Sequence, residues 1–273
     1  MKKIVSIQDI SCYGQCSLTV ALPVLSARGI ETAILPSGIL STHTGGFTGF
    51  TVLDLTEEMP RIVDHWISEG IHFDAIYTGY IGDTRQFDLI NAKKDAILKE
   101  GGKLIVDPAM ADHGKLYAAL NQDIVEGMKK IVREADLILP NLTEAAFLLD
   151  RPYQEHYTQN EILDMVHGLS DMGAKEVVLT GVSFEQSRLG AVHYNSVTDR
   201  VTEYYAERQP KNYHGTGDIF SSIYIADWLN GRPAEECLRD SCEFIVKCIQ
   251  ATMPYEDHGY GVMFEQVLAA ERR

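Results

Sequence analysis

The sequence has no uninterrupted apolar run of about 18 residues, so no membrane-crossing helix is expected. It is also short of positive charge: 24 Lys and Arg stand against 39 Asp and Glu, a net −15 with histidine neutral. Such a surface repels phosphate backbones and anionic lipids, which argues against nucleic-acid or membrane binding. Cysteine is sparse and unpatterned. The five thiols (Cys12, Cys16, Cys237, Cys242, Cys248) are odd in number and match neither zinc spacing nor a C-x-x-C redox pair. They read as reduced thiols of a cytoplasmic protein. No H-x-x-x-H pair supports a zinc site. The first strand is not followed by G-x-G-x-x-G, which argues against a dinucleotide-binding oxidoreductase. Met1-Lys2-Lys3 opens like a secretory leader, but a strand follows at once with no small-residue cleavage site, so no leader is expected.

What is present is a rhythm. Hydrophobic residues make up 45% of the chain, enough for a sizeable core. Short apolar runs at Lys3–Ile7, Glu31–Leu35, Phe73–Thr78, Lys103–Val106, Asp136–Leu139 and Glu176–Leu179 read as strands. Helical spacing over 18–27, 57–69, 84–100, 121–134 and 160–172 separates them, with Gly101-Gly102 as a stop after the third helix. Alternating strands and helices imply β-α-β units and a mostly parallel sheet. Leu189–Tyr194 and Arg200–Tyr205 break the rhythm and read as an antiparallel edge hairpin, followed by helices near 216–229, 233–251 and 260–271. No repeat or linker divides the chain, so residues 1–273 are expected to form one α/β domain.

In an open parallel sheet, ligands bind beyond the carboxyl ends of the strands. Those ends carry Gln8-Asp9, Gly79-Tyr80, Asp107-Pro108, Pro140-Asn141 and Thr180-Gly181. Five such ends converging on one sheet edge indicate a site. The strongest segment is His214-Gly215-Thr216-Gly217-Asp218 before an apolar helix. Glycines there let an anion approach free backbone N–H groups, and the helix dipole adds attraction. Asp218 is then placed to take a proton from an attacking alcohol; an ordinary N-cap is the competing reading. Asn141-Leu-Thr-Glu144 taken alone reads first as a capping box, with a phosphate and metal site as the alternative. Asp107 and Asp112 read as a solvated loop or as carboxylates for magnesium.

In order along the chain, Gln8, His43-Thr44-Gly45-Gly46, Gly79-Tyr80, Asp107-Pro108 with Asp112, Asn141 with Glu144, Thr180 and Gly215-Thr216-Gly217-Asp218 resemble the pyridoxal (vitamin B6) kinases of the ribokinase-like superfamily. The resemblance spans residues 4 to about 250 and implies a three-layer sandwich with a mostly parallel central sheet and an antiparallel edge hairpin. It implies ATP-dependent phosphorylation of the 5′-hydroxymethyl group of a B6 vitamer, with Asp218 as base and Gly215, Thr216 and Gly217 as anion hole. Asp107, Asn141, Thr180, Lys211 and Thr216 would bind ATP, and Asp9, Thr44, Tyr80 and Asp218 the vitamer. Asp112 and Glu144 would help hold Mg2+ and a monovalent cation, K+ or Na+, in a cytoplasmic homodimer. Two positions depart from the family pattern: Asp9 stands where serine is common, and Gly14-Gln15-Cys16-Ser17-Leu18 lacks the usual Gly-Asn pair. The competing functions are a kinase for another acceptor (a thiamin-precursor pyrimidine, a sugar or a nucleoside) and a non-catalytic sensor on the same fold.

Overall fold

The first strand is buried almost throughout, polar residues included, because the sheet is covered on both faces. The computed structural model describes residues 1–271. Its first strand β1 (Lys3–Ser11) is buried nearly end to end, as strands flanked by helices on both sides require. From there the chain runs α1 (Leu18–Ala27), β2 (Glu31–Leu40), β3 (Val52–Asp54), α2 (Met59–Ser68), β4 (Phe73–Thr78), α3 (Thr84–Ile97) and β5 (Leu98–Val106). A two-strand ribbon, β6 (Ala111–Asp112) and β7 (Lys115–Leu116), precedes α4 (Gln122–Val132), β8 (Leu137–Ile138), α5 (Leu142–Leu148), α6 (Gln159–Asp171) and β9 (Glu176–Val182). The hairpin β10 (Arg188–Asn195) and β11 (Arg200–Glu207) leads to α7 (Thr216–Leu229), α8 (Ala234–Thr252) and α9 (Phe264–Glu271).

Nine strands form one sheet in the order β11-β10-β9-β8-β5-β4-β1-β2-β3. Pairing from β9 to β2 is parallel, and antiparallel pairs close both edges. One face packs the apolar sides of α2 to α6 against the sheet, with Phe73, Phe87, Met128 and Val166 among the residues fully withdrawn from water. On the other face α1, α7 and α8 bury Leu25, Tyr77, Tyr224 and Leu238. This is the three-layer arrangement expected from the motif resemblance. Helices α1 and α3 follow β1 and β4 onto opposite faces, so the strand order reverses between these neighbours. Their carboxyl ends therefore flank the crevice where such sheets bind ligands.

Three local expectations differ from the structure. Gly101-Gly102 does not follow a helix; it lies inside β5, with Gly101 at φ +74 and a register irregularity against β4, the bulge that an isolated strand glycine signals. The short edge strand β3 was not anticipated: its three residues are all exposed and carry no burial pattern. Helix α5 has no counterpart among the expected helices beyond its capping motif, because its seven residues are too few to show periodicity.

Candidate active site

A cavity of about 630 Å³ opens beyond the carboxyl ends of β1, β4, β5, β8 and β9, within the size range of small-molecule sites. It brings together Asp9, Thr44, Tyr80, Asp107, Asp112, Asn141, Glu144, Thr180, Gly215, Thr216, Gly217 and Asp218. Lys211 is the exception and does not line it: its ammonium lies 4.8 Å from the Tyr213 ring centroid.

The glycines at the start of α7 have different jobs. Gly215 is the N-cap at φ +77, and a Cβ there would stand 1.8 Å from the Gln15 carbonyl oxygen. It is required by the fold. A Cβ on Gly217 would meet nothing within 4 Å, so this position is open on its cavity side. The first-turn N–H groups of the 14-residue helix have no side-chain cap and stand free for an anion.

Asp218 follows in the first turn, half-buried, its Oδ2 accepting from the Ser17 N–H at 3.0 Å. Burial, then the nearby Asp107, then Asp9 push its carboxyl up to about 7, so near neutrality it can hold or release a proton. Ser17 was not singled out from the sequence. It is the N-cap of α1 at φ 54, makes no side-chain cap bond, and turns its hydroxyl toward Asp9. A non-glycine residue in this left-handed region is strained, and such strain gathers at functional sites.

Asp107 and Glu144 sit 7% and 2% exposed. Burial raises both carboxyls, and Asp107 raises Glu144 further. Ser221 Oγ donates to Asp107 Oδ2 at 2.6 Å, another partnership the sequence did not signal. The capping box is real: Asn141 Oδ1 accepts from the N–H groups of Thr143 and Glu144 at 2.8 and 2.9 Å, and Glu144 Oε2 accepts from Asn141 N–H at 2.8 Å. The same side chains also reach outward. Glu144 Oε1 accepts from Met110 N–H at 3.1 Å, and Asn141 Nδ2 donates to the Ala111 carbonyl at 2.9 Å. The cap thereby ties the Asp107–Asp112 loop to α5. Asp112 itself is exposed and bonds the His113 N–H at 2.8 Å. Tyr117, also missed, lies among Glu144, Asp218, Asp112 and Asp107, and burial with those charges raises its phenol.

At the opposite end, Thr44 is positioned by its neighbour. Gly45 N–H donates to His43 Nδ1 at 3.1 Å, which leaves Nε2–H to donate to the Tyr260 carbonyl at 3.0 Å. His43 is therefore neutral here, and burial lowers its pKa. Its ring occupies the place a Cβ on Gly14 would take, 2.1 Å from Cδ2. His214 lines the cavity, its ring 5.4 Å from that of His43. Gln8 does not line it; its Nε2 donates to Ser6 Oγ at 3.0 Å and its side chain packs where Gly79 has no Cβ. Burial pushes the Tyr80 phenol up to about 12, with a further push from Asp9. Leu189, Phe220, Ile245, Val246 and Ile249 give the cavity an apolar wall.

Magnesium, which the family resemblance implies, suits this donor set. The charges that perturb Glu144 and Asp218 are other carboxylates, and burial raises Asp107; these are hard oxygen donors in want of a cation. No group of three His, Cys, Asp or Glu side chains converges on one point among the described residues. Magnesium commonly uses only one or two carboxylates, with water and phosphate oxygens completing its shell.

The chain's residues 24–263 match the family model of phosphomethylpyrimidine kinases. A crystal structure of a candidate phosphomethylpyrimidine kinase from Bacteroides thetaiotaomicron, solved with pyridoxal, is 36% identical, covers 100% of this chain and 96% of that one, and superposes with a TM-score of 0.94. The pyridoxal kinase of Lactobacillus plantarum is 31% identical over 99% of this chain and 96% of that one, with a TM-score of 0.89. Pyridoxal kinase PdxY of Pasteurella multocida is 27% identical over 94% of this chain and 92% of its own length. The order of the motifs, the layered fold and these similarities agree: the chain belongs to the pyridoxal kinase family of the ribokinase-like superfamily.

Proposed function

We propose that this protein transfers the γ-phosphoryl group of ATP to the 5′-hydroxymethyl oxygen of a vitamin B6 vitamer. The observation that carries this reading is Asp218, a carboxyl pushed up to about 7, in the first turn of α7 beside the uncapped N–H groups of Thr216 and Gly217. The acceptor hydroxyl bonds Asp218, its oxygen attacks the γ-phosphorus, the bond to the β-phosphate oxygen breaks, and ADP leaves. Asp218 orients the hydroxyl and receives its proton as the new ester forms. Phosphoryl transfer has a loose transition state with charge on the equatorial oxygens, so positioning and electrostatics supply most of the rate. Gly215, Thr216 and Gly217 face that charge with backbone donors. Asn141 and Thr180 border the nucleotide end, and the wall of Leu189, Ile245, Val246 and Ile249 gives a slot for a flat base. Asp9, Thr44 and Tyr80 border the acceptor end.

Bound magnesium would neutralise phosphate charge, held by Glu144 and Asp107 with Asp112 at the rim; a monovalent cation would use the same carboxylates. Residues 1–273 would act as one catalytic domain, with a cytoplasmic homodimer as the assembly. Among the described residues no helix is long and apolar enough to cross a membrane. A mass near 30.5 kDa by light scattering would refute the dimer.

A second acceptor, a hydroxymethylpyrimidine, is favoured by the description of the matching family model. Magnesium ATP with pyridoxal, pyridoxine, pyridoxamine and hydroxymethylpyrimidine, scored by ADP release, tests both. Turnover confined to the pyrimidine would overturn the B6 reading, and release with none would overturn the kinase.

A further inference from the structure

The cavity has two acidic poles, and magnesium accounts for one. Asp107 and Glu144 lie at the nucleotide end, where a divalent cation and phosphates belong. Asp9 lies at the other, only 4% exposed, with the Ser11 hydroxyl donating to Oδ2 at 3.0 Å and the Ser17 hydroxyl turned toward it. The titratable groups that feel its charge are Tyr80, Cys16 and Asp218, all neutral or acidic. A serine would give a neutral hydrogen bond here without the cost of burying a charge. A buried carboxylate without a cationic partner is unfavourable and burial raises this one; a cation brought by the ligand would stabilise its charged form.

The backbone places Asp9 for this use. It is a strand residue and no loop cap. The ladder is irregular beside it: Gln8 pairs with Pro36 and Ile10 with Ile39, so β2 carries one extra residue opposite Asp9. Bulges of this kind occur beside active sites and re-aim side chains. Ser17 then joins the two carboxylates, its N–H on Asp218 and its hydroxyl toward Asp9. A group bound at Asp9 is thereby held at a set distance from a hydroxyl bound at Asp218, one serine away.

We infer that Asp9 is a specificity-determining residue that binds a positively charged nitrogen of the acceptor alcohol, selecting protonated heterocycles or amines over neutral alcohols of the same shape. The inference rests on the kinase reading for its catalytic consequence, but the binding it describes is measurable without turnover. Two nitrogens of the vitamers carry such a charge: the protonated ring nitrogen, common to all, and the aminomethyl group of pyridoxamine.

The test compares wild type, Asp9→Asn and Asp9→Ser by calorimetry and steady-state kinetics, with pyridoxamine, pyridoxal, pyridoxine and the nitrogen-free 3-hydroxybenzyl alcohol. Charge-assisted bonds are about twice as strong as neutral ones, so both variants should bind pyridoxamine about tenfold more weakly, with the change in KM rather than kcat. Binding of the nitrogen-free alcohol should change less than about twofold, and the Asp9→Asn melting temperature should not fall. A loss confined to pyridoxamine assigns the aminomethyl group. A loss shared by the three vitamers and absent from the nitrogen-free alcohol assigns the ring nitrogen. Equal losses for charged and neutral ligands, no loss for any, or a lowered melting temperature with unchanged affinities would overturn the inference. If no vitamer supports ADP release by wild type, the B6 reading fails, while the calorimetry still decides whether Asp9 binds cations.

Discussion

Replacing Asp218 by Asn should make the enzyme inactive and more stable at once. The perturbation is small in shape: the amide oxygen can keep the bond from the Ser17 N–H that Asp218 Oδ2 now accepts at 3.0 Å. What changes is the charge. The folded protein raises this carboxyl from 3.8 to about 7, first through burial and then through Asp107 and Asp9. A group whose pKa is raised on folding favours the fold when protonated. That contribution is complete below pH 3.8 and is lost as pH climbs through about 7. A gap of about three units corresponds to at most roughly 4 kcal/mol at about 1.4 kcal/mol per unit. Asp218 is only half-buried, and cavity water screens it, so about 2 kcal/mol is the better figure.

At pH 8 without ligands, Asp218→Asn should therefore melt about 4–8 °C above wild type, at about 2–4 °C per kcal/mol for a chain of this size. By pH 5 the gap should shrink to less than half, because the folded protein is then protonated at this position while the unfolded chain still ionises above 3.8. Turnover should fall by about 10²–10⁴, the usual contribution of a general base, while calorimetry with magnesium ATP finds binding retained. Melts across pH 5 to about 8, paired with single-turnover ADP release, make the measurement. Near-normal turnover would show that Asp218 is not the base. A variant less stable than wild type at pH 8 would show that the folded protein compensates the carboxylate and would refute this reasoning.

Other positions separate fold from chemistry. Gly215→Ala should fold poorly, since its Cβ would stand 1.8 Å from the Gln15 carbonyl, whereas Gly217→Ala should melt normally and raise the KM for ATP several-fold; equal melts for the two would contradict this division. Asn141→Ala should lose about 1 kcal/mol of stability, as caps do, and should also weaken nucleotide binding because the loop held at Ala111 loses its anchor. Unchanged nucleotide kinetics per folded molecule would leave only the cap. Gly14→Ala should displace the His43 ring, whose Cδ2 lies 2.1 Å from where the new Cβ would stand, and raise the KM for the acceptor more than for ATP, which a matched pair of substrate titrations checks.

Much of the strand and helix order was legible because apolar period and punctuation agree there. Helix α1 and strand β4 fall on the residues the pattern marks. Elements of two or three residues, such as β3, β6 and β7, carry no period and escape. At the site, the legible residues were those at strand ends and the helix start. Ser17 and Ser221 were not, because a serine takes its meaning from what folding sets beside it. Ser17 meets Asp218 across 201 residues, and Ser221 meets Asp107 across 114. Asn141 and Glu144 were ambiguous in the sequence because a capping box satisfies the same pattern; in the structure they cap α5, and the same side chains also hold the loop that carries Asp107 and Asp112.

The charge deficit noted in the composition recurs inside the cavity and explains how an acidic protein handles anionic ATP. Of the residues lining the cavity, Lys115 and Arg208 are the basic ones, and both side chains belong to exposed positions. The deeper wall holds Asp9, Asp107 and Glu144, with Asp218 between the two ends. A site of this sign has little to offer a bare nucleotide except backbone N–H groups and a helix dipole. It has more to offer a nucleotide that brings its own divalent cation, because that cation relieves the mutual repulsion of the carboxylates it meets. The same reasoning applies to Asp9 at the acceptor end, where a protonated nitrogen can do for one carboxylate what a divalent cation would do for the others. Specificity then comes partly from charge that the empty protein leaves uncompensated: a ligand without a cation meets a desolvated carboxylate, and a ligand with one in the right place completes the pair.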